Sequence, residues 1–87
     1  MQLGKQIGQK LDLPKEIVWD LPLISMIGQE ELTIENHKGL MEYAPDTIRI
    51  GTGKASLSIH GEEMTLKQMS SDSIVIQGKI HSLEFCK

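Results

Sequence analysis

The feature that most constrains the fold is a pair of apolar residues, two positions apart, that recurs every eight or nine residues between Leu32 and Phe85. Side chains two positions apart in a strand point to the same face of a sheet. The pairs are Leu32/Ile34, Ile48/Ile50, Leu57/Ile59, Met64/Leu66, Ile74/Ile76 and Leu83/Phe85, with Leu40 near Tyr43 at the remaining position. This spacing is typical of all-β meanders, sandwiches and barrels. The sequence therefore predicts about seven short strands.

Turn-forming residues separate the predicted strands. The strongest hairpin signal is Gly51-Thr52-Gly53-Lys54, and Pro45-Asp46 marks a second corner. The connections are too short for a crossover helix, so neighbouring strands are expected to run antiparallel. The predicted fold is an all-β antiparallel meander that forms a curled sheet, sandwich or small barrel. The same rhythm also fits a short β-solenoid with two strands in each coil, although the hairpin signal favours the meander.

Thirteen apolar side chains are expected on the inward face of this sheet: Leu32, Ile34, Leu40, Ile48, Ile50, Leu57, Ile59, Met64, Leu66, Ile74, Ile76, Leu83 and Phe85. A single uncovered sheet of this size would not gain enough from burial to offset the conformational entropy lost on folding. Three ways of covering it are open. The sheet curls on itself, the N-terminal segment covers it, or a second subunit does.

The N-terminal segment, residues 1–22, is predicted to be helical or extended and to precede a β-sheet domain at 23–87. Leu3, Ile7 and Leu11 recur at steps of four, which predicts a short amphipathic helix. This apolar stripe either packs on the sheet or docks on a partner or membrane. Together with Trp19 it forms the candidate partner interface. After Pro22, which is a poor residue for a helix interior, residues 23–27 are a candidate first strand.

Composition limits the possible functions. A net charge of −3 argues against a nucleic-acid partner, because nucleic-acid-binding domains usually carry a clustered basic patch. The single cysteine, Cys86, excludes an internal disulfide. No apolar run is long enough to span a bilayer, and the N-terminus lacks the pattern of a signal peptide. We therefore expect a soluble chain with no direct membrane span.

No set of residues predicts a catalytic, cofactor or metal site. His37, His60 and His81 stand at predicted turns or strand edges without a second ligand at the usual spacing, so exposed turn histidines are expected. The adjacent pairs Glu30/Glu31 and Glu62/Glu63 would point to opposite faces of a strand. Cys86 stands at the C-terminal end, where nothing is expected to activate it. The sequence predicts that the protein is not an enzyme and binds no cofactor.

Several segments together resemble the YabP/YqfC family of sporulation proteins and are closest to its YqfC members. They are Leu13-Pro14, Asp20-Leu21-Pro22, Met26-Ile27-Gly28, Ile34-Glu35-Asn36-His37-Lys38-Gly39, Ile76-Gln77-Gly78-Lys79-Ile80 and Leu83-Glu84-Phe85. The resemblance covers nearly the whole chain, and it is most specific between residues 20 and 39. One departure is Leu23, where YqfC-like chains are expected to carry a basic residue.

The resemblance implies an endospore-forming Firmicute and a non-enzymatic protein of the mother cell, cytoplasmic and peripheral to the outer forespore membrane. It implies association with the forespore surface, and a membrane protein encoded beside it, YqfD-like, is the implied partner. Self-association into a homo-oligomer is a further expectation, because a regular sheet offers edges for strand addition. The alternative is a β domain that binds a small ligand or cell-wall glycan. Three aromatic residues make it poorly equipped for stacking on sugars, and Tyr43 is the strand aromatic that could face outward.

Overall fold

In the computed structural model, which describes residues 20–87, six strands form one antiparallel sheet. The strands are β1 Leu23–Ile27, β2 Glu31–Glu35, β3 Gly39–Ala44, β4 Thr47–Gly51, β5 Ser56–Met69 and β6 Ser73–Cys86. Their order across the sheet is β1-β2-β6-β5-β4-β3. Thus β3 to β6 form a four-stranded meander, and the β1–β2 hairpin joins its far side through β6.

The long β5–β6 hairpin divides this sheet into two half-sheets. Each of its strands has 14 residues, but β4 pairs only with residues 56–60 of β5 and β2 only with residues 73–77 of β6. The first half-sheet consists of β1, β2, the beginning of β6 and the end of β5. The second consists of β3, β4, the beginning of β5 and the end of β6. Three register shifts in the β5–β6 ladder mark the irregular region of this hairpin, which we call the bend.

The bend is held by close backbone packing and by the turns of the two short hairpins. A Cβ atom on Gly78 would lie 2.6 Å from the Cα of Met64, and a Cβ atom on Gly61 would overlap the carbonyl oxygen of Lys79. Carbonyl oxygens of the β1–β2 turn accept from the amides of β6, and those of the β3–β4 turn accept from β5. These four bonds join Glu30 O to Gly78 N (3.1 Å), Gln29 O to Ile80 N (2.8 Å), Asp46 O to Gly61 N (3.2 Å) and Pro45 O to Met64 N (2.9 Å).

A three-residue connection between β2 and β3 ties the two half-sheets together at their other end. The Asn36 amide donates to the carbonyl of Asp72 (2.6 Å), in the β5–β6 turn, and the Lys38 amide donates to Gly51 (2.7 Å), at the end of β4. Asn36 has a φ of +64°, a conformation that asparagine tolerates better than most residues. The connection therefore spans from the first half-sheet to the second.

The two half-sheets enclose one apolar core. Its buried side chains come from β2, β4, β5 and β6: Leu32, Ile34, Ile48, Ile50, Leu57, Ile59, Met64, Ile74, Ile76 and Ile80. Cross-strand partners share a face, as in the pairs Leu32/Ile76 and Ile48/Ile59. Ile24, Leu40, Leu66 and Leu83 pack against this cluster while partly buried. The alternating apolar pattern thus supplies the core, and the prediction of an all-β antiparallel fold is confirmed.

The prediction of about seven short strands is wrong in its count. Two of the apolar pairs expected on separate strands, Leu57/Ile59 and Met64/Leu66, lie on β5, and likewise Ile74/Ile76 and Leu83/Phe85 both lie on β6. The segments between them contain Gly61 and Gly78, which predict turns, but in the structure these segments form the bend. The candidate strand at 23–27 is β1.

Four further expectations have different outcomes. The sheet does not close into a barrel, and its antiparallel pairing rules out the solenoid for residues 20–87. Phe85, expected inside, is 60% exposed and lies next to the last residue of β6. No helix occurs between residues 20 and 87. The helical prediction for the N-terminal segment falls mainly on residues 1–19, outside the described residues, and stays a prediction.

The close packing at the bend predicts that replacing Gly78 destabilises the fold. We expect Gly78→Ala to lower the free energy of unfolding by about 3 kcal/mol, because the added methyl meets the backbone of Met64 and Gly78 has a φ of +150°. Gly28→Ala is the matched control. Gly28 also has a positive φ, +52°, but nothing lies within 4 Å of the added Cβ. Its expected cost is about 1 kcal/mol. Chemical denaturation measures both, and equal costs would contradict the close packing proposed for the bend.

Candidate interaction site

The three histidines do not form a metal site. His81 is exposed, with Nε2 at 3.4 Å from Glu62 Oε2, and His60 lies opposite Thr47 in the β4–β5 ladder. His37 stands apart from both in the β2–β3 connection. Among residues 20–87 no group of three or more His, Cys, Asp or Glu side chains is placed to hold a metal ion.

His37 is buried rather than exposed, so the prediction of an exposed turn histidine is wrong for this residue. It is 5% exposed. Its Nδ1 accepts a hydrogen bond from the Gly39 amide at 2.9 Å, which leaves the proton on Nε2, and Nε2 donates to the Ser70 carbonyl at 3.1 Å. The ring therefore links the β2–β3 connection to the β5–β6 turn. These two hydrogen bonds give the buried ring a structural role in joining the two segments.

Cys86 has a polar neighbour but, among residues 20–87, no hydrogen bond to an imidazole. Its Sγ lies 3.6 Å from Ser58 Oγ, and its carbonyl accepts a hydrogen bond from Ser56 Oγ at 3.4 Å. A serine hydroxyl is too weak a base to activate a thiol, which needs an imidazole or a nearby cation. These contacts join the beginning of β5 to the end of β6.

The exposed apolar side chains of residues 20–87 concentrate at open edges of the sheet. An edge strand presents unpaired backbone groups that another chain can bind. The large exposed apolar residues on β1 or just before it are Leu21, Leu23, Met26 and Ile27, those on β3 are Met41 and Tyr43, and the ends of β5 and β6 carry Met69 and Phe85. The arrangement suits binding to another chain better than chemistry.

The edge of β1 is the least protected of these. Natural sheets usually guard an edge with charged residues, proline or a bulge. The β1 sequence, LISMI, contains none of these, and its Ile27 side chain is 68% exposed. By contrast, β3 carries Glu42, which pairs with Arg49 across a distance of 3.8 Å, and its pairing with β4 is irregular. For residues 23–27 the sequence predicts a strand but not its place at an edge. The absence of charge between Leu21 and Ile27 was the available sign of an open edge.

The chain just before β1 is fixed to the rest of the domain. Asp20 Oδ1 lies 2.9 Å from Lys38 Nζ, and the Leu21 carbonyl accepts a hydrogen bond from Asn36 Nδ2 at 2.8 Å. Asp20 also lies against Gly53, where a Cβ atom would come within 2.5 Å of the Asp20 carbonyl oxygen. The candidate interface residues Leu3, Ile7, Leu11 and Trp19 precede this anchor and lie outside the described residues.

These features define a small all-β domain whose open sheet edges carry apolar side chains. A family model described as the YabP family matches residues 22–87, which include all six strands described between residues 20 and 87. The chain therefore belongs to the YabP family, and the predicted resemblance is confirmed. The chain is also similar to the uncharacterized protein YqfC of Bacillus subtilis strain 168. The two are 28% identical over 79 residues, which cover 91% of this chain and 85% of that protein.

No solved structure matches this chain. Within residues 20–87, no helix has the length and apolar character needed to cross a membrane.

The burial of His37 can be tested by its removal. We expect His37→Ala to lower the free energy of unfolding by about 2–3 kcal/mol, because the Gly39 amide and Ser70 carbonyl lose their partner in a buried site. His81→Ala removes an exposed histidine and should change the free energy by no more than about 0.5 kcal/mol. Chemical denaturation at neutral pH measures both. Similar small losses would mean that the two His37 bonds do not hold the turns together.

The Asp20 anchor makes a prediction about pH. The hydrogen bond from Lys38 lowers the pKa of Asp20 below 3.8, helped by the charge of Lys38, the Asn36 side chain and the charge of Lys54. A lowered pKa in the folded state means that the anchor contributes stability above pH 3.8 and loses it as the pH falls through the lower value. An NMR titration of the Asp20 carboxyl should give a midpoint below 3.8 that rises in Lys38→Met more than in Lys54→Met. A midpoint unaffected by Lys38→Met would refute the anchor.

Proposed function

We propose that this chain is a non-enzymatic sporulation protein that acts in the mother cell at the forespore surface. It works there by binding a membrane-anchored partner or by self-association. The observation that carries the proposal is the membership in the YabP family over residues 22–87, which span the whole sheet. Similarity to YqfC over most of both chains supports the same assignment. The proposed partner is a YqfD-like membrane protein, and the proposed location is the mother-cell cytoplasm, peripheral to the outer forespore membrane.

The side-chain contacts of residues 20–87 support a binding role. His37 joins two turns, Cys86 joins the ends of two strands, and Asp20 anchors the chain before β1. Each of these reactive residue types is thus engaged in a contact that supports the fold. The apolar side chains at the sheet edges stay largely exposed among residues 20–87, and burying them against another chain would remove apolar surface from water.

The N-terminal stripe is the proposed site for the membrane-anchored partner. Leu3, Ile7, Leu11 and Trp19 supply apolar side chains immediately before the Asp20 anchor. Because the anchor holds Asp20 and Leu21 to the β2–β3 connection, a partner bound to this segment would lie beside that end of the sheet. A small-ligand or glycan-binding role has weaker support. Tyr43, the aromatic residue considered for stacking, is half exposed and points its hydroxyl to the Met64 carbonyl at 3.5 Å.

Affinity capture from sporulating host cells tests this proposal. The tagged full chain should recover a membrane protein, and a fluorescent fusion should gather at the forespore surface. We expect the triple substitution Leu3→Ser, Ile7→Ser, Leu11→Ser to abolish the capture, because it removes the apolar stripe. The matched control is Gln2→Ser, Gln6→Ser, Gln9→Ser, which changes polar residues of the same segment and should retain the partner.

Circular dichroism of the purified variants separates loss of binding from loss of fold. Loss of capture with an intact β spectrum assigns the stripe to an interface. Loss of both assigns it to the core and refutes the proposed binding site. Diffuse fluorescence of the unmodified chain, with no envelope protein captured, would refute the proposed function itself.

A further inference from the structure

The geometry of β1 points to a specific form of self-association: two copies of this chain pair their β1 strands antiparallel, with Ser25 of each copy at the two-fold axis. The pairing would join two six-stranded sheets into one continuous sheet. This inference deepens the self-association in the proposed function, and it rests on that function only for its biological setting. The physical argument rests on the backbone, register and side chains of β1.

No strand among residues 20–87 pairs with β1 on the side away from β2. The Ile27 carbonyl accepts a hydrogen bond from the Glu30 amide at 3.1 Å, inside the β1–β2 hairpin. Successive residues of an antiparallel strand direct their N–H and C=O groups to opposite sides. Ile27, Ser25 and Leu23 therefore bond toward β2, while the groups of Ile24 and Met26 point to the open edge. Among the six strands of residues 20–87, β1 is the terminal one on this side.

Pairing centred on Ser25 gives every outward backbone group of Ile24 and Met26 a hydrogen-bond partner. Leu23 then lies opposite Ile27 of the other copy, Ile24 opposite Met26, and Ser25 opposite Ser25. The two Ile24/Met26 pairs are the ones with outward backbone groups, so each forms a hydrogen-bonded pair that exchanges two bonds. The two serines form the close, non-hydrogen-bonded pair at the centre. Directly paired residues always share a face of the sheet, and this register satisfies that condition throughout β1.

Neighbouring registers are worse for identifiable reasons. A shift of one residue would place apolar residues of one face opposite those of the other. A shift of two in one direction places Pro22, which has no N–H group, opposite Met26. A shift of two in the other direction places Gly28 opposite Ile24, and Gly28 belongs to the turn with a φ of +52°. The register centred on Ser25 is therefore the one that uses the whole strand.

The side chains favour a second copy over other occupants of this edge. In a two-fold interface both copies use the same surface. A charged side chain near the axis would therefore lie close to the same charge on the other copy. β1 contains no charge, and its sequence is apolar on both sides of Ser25. Ile27 and Met26, exposed by 68% and 41%, would each face an apolar side chain, Leu23 and Ile24. This self-complementarity is a property of β1 alone and needs no other partner.

The dimer is expected to be weak. A standard stable interface involves about 20–30 residues from each partner, whereas the ladder here involves a five-residue strand from each copy. We therefore expect dissociation in about the micromolar range. Attachment to a membrane partner would raise the effective concentration of the chain and favour pairing.

Sedimentation velocity of the purified full chain over about 10–500 µM tests the pairing. We expect the mass to rise with concentration from 9.7 kDa toward twice that value. Ser25→Lys should keep the chain monomeric, because it places two like charges at the axis. Ser82→Lys is the matched control: it makes the same change at an exposed position on another open edge, at the end of β6, and should dimerise like the unmodified chain.

A cross-link tests the register independently. In a Cys86→Ser background, Ser25→Cys should form a disulfide-linked dimer under mild oxidation, because a close non-hydrogen-bonded pair brings the two Cβ atoms into range. Ser82→Cys in the same background should stay largely uncross-linked. Equal cross-linking of both variants would overturn the proposed register.

The remaining outcomes separate this inference from the proposed function. A chain that stays monomeric at every concentration overturns the pairing, even when it captures a membrane partner and so supports the function. A dimer that forms while capture and localisation fail supports the pairing and refutes the function. If the chain is monomeric and Ser25→Lys abolishes capture, the β1 edge binds the partner and not a second copy, which also overturns the inference.

Discussion

The bend in the β5–β6 hairpin is the constraint on which the rest of the structure depends. A straight hairpin with 14-residue strands would set the β2 and β4 partners along one flat sheet and leave its apolar face open to water. The bend brings Ile74 and Ile76 of one half-sheet into the same core as Leu57 and Ile59 of the other. Each such side chain contributes about 1.5–3 kcal/mol when it is fully buried. Burial in this shared core favours the bent hairpin over a straight one, and Gly61 and Gly78 leave room for the close backbone packing at the bend.

The bend is supported in a nearly symmetrical manner. The β1–β2 turn bonds to β6 through Gln29 and Glu30, and the β3–β4 turn bonds to β5 through Pro45 and Asp46. From either edge of the sheet, the order is the two strands of a short hairpin followed by one long strand. This arrangement satisfies backbone groups where the β5–β6 ladder is irregular. Within residues 20–87 it also leaves β1, β3 and the far ends of β5 and β6 without a neighbouring strand on one side, so these edges are a direct consequence of how the core is closed.

Sequence periodicity predicted most of the core and little of the topology. Alternation alone placed Leu32, Ile34, Ile74 and Ile76 on one face, because the two-residue period of a strand is local. Gly61 and Gly78 were read as turns, since a glycine between two apolar pairs looks the same at a bend as at a chain reversal. The distinction depends on long-range contacts, such as that between Gly78 and Met64.

The candidate sites show the same limit. His37 is buried because its ring bonds to Ser70, which lies 33 positions away in the sequence, and no local pattern contains that contact. Phe85 is exposed although its cross-strand partner Leu57 is fully buried, and alternation along β5 and β6 does not distinguish the two. The family resemblance, in contrast, could be read from the segments between residues 20 and 39 and is confirmed. Sequence thus identified the family and the apolar pairs, while the edges and the buried histidine required the fold.

An open, apolar and uncharged edge strand is a cost to an isolated domain, because it invites unspecific strand addition. The cost disappears when the edge has a defined occupant. In the proposed setting, a membrane partner confines the chain to a surface, and that confinement raises the concentration available for weak β1 pairing. A dimer in turn carries two partner-binding segments, so it dissociates from the surface only when both segments are released. Weak self-pairing and partner binding would therefore reinforce each other, and neither contact would need to be strong in solution.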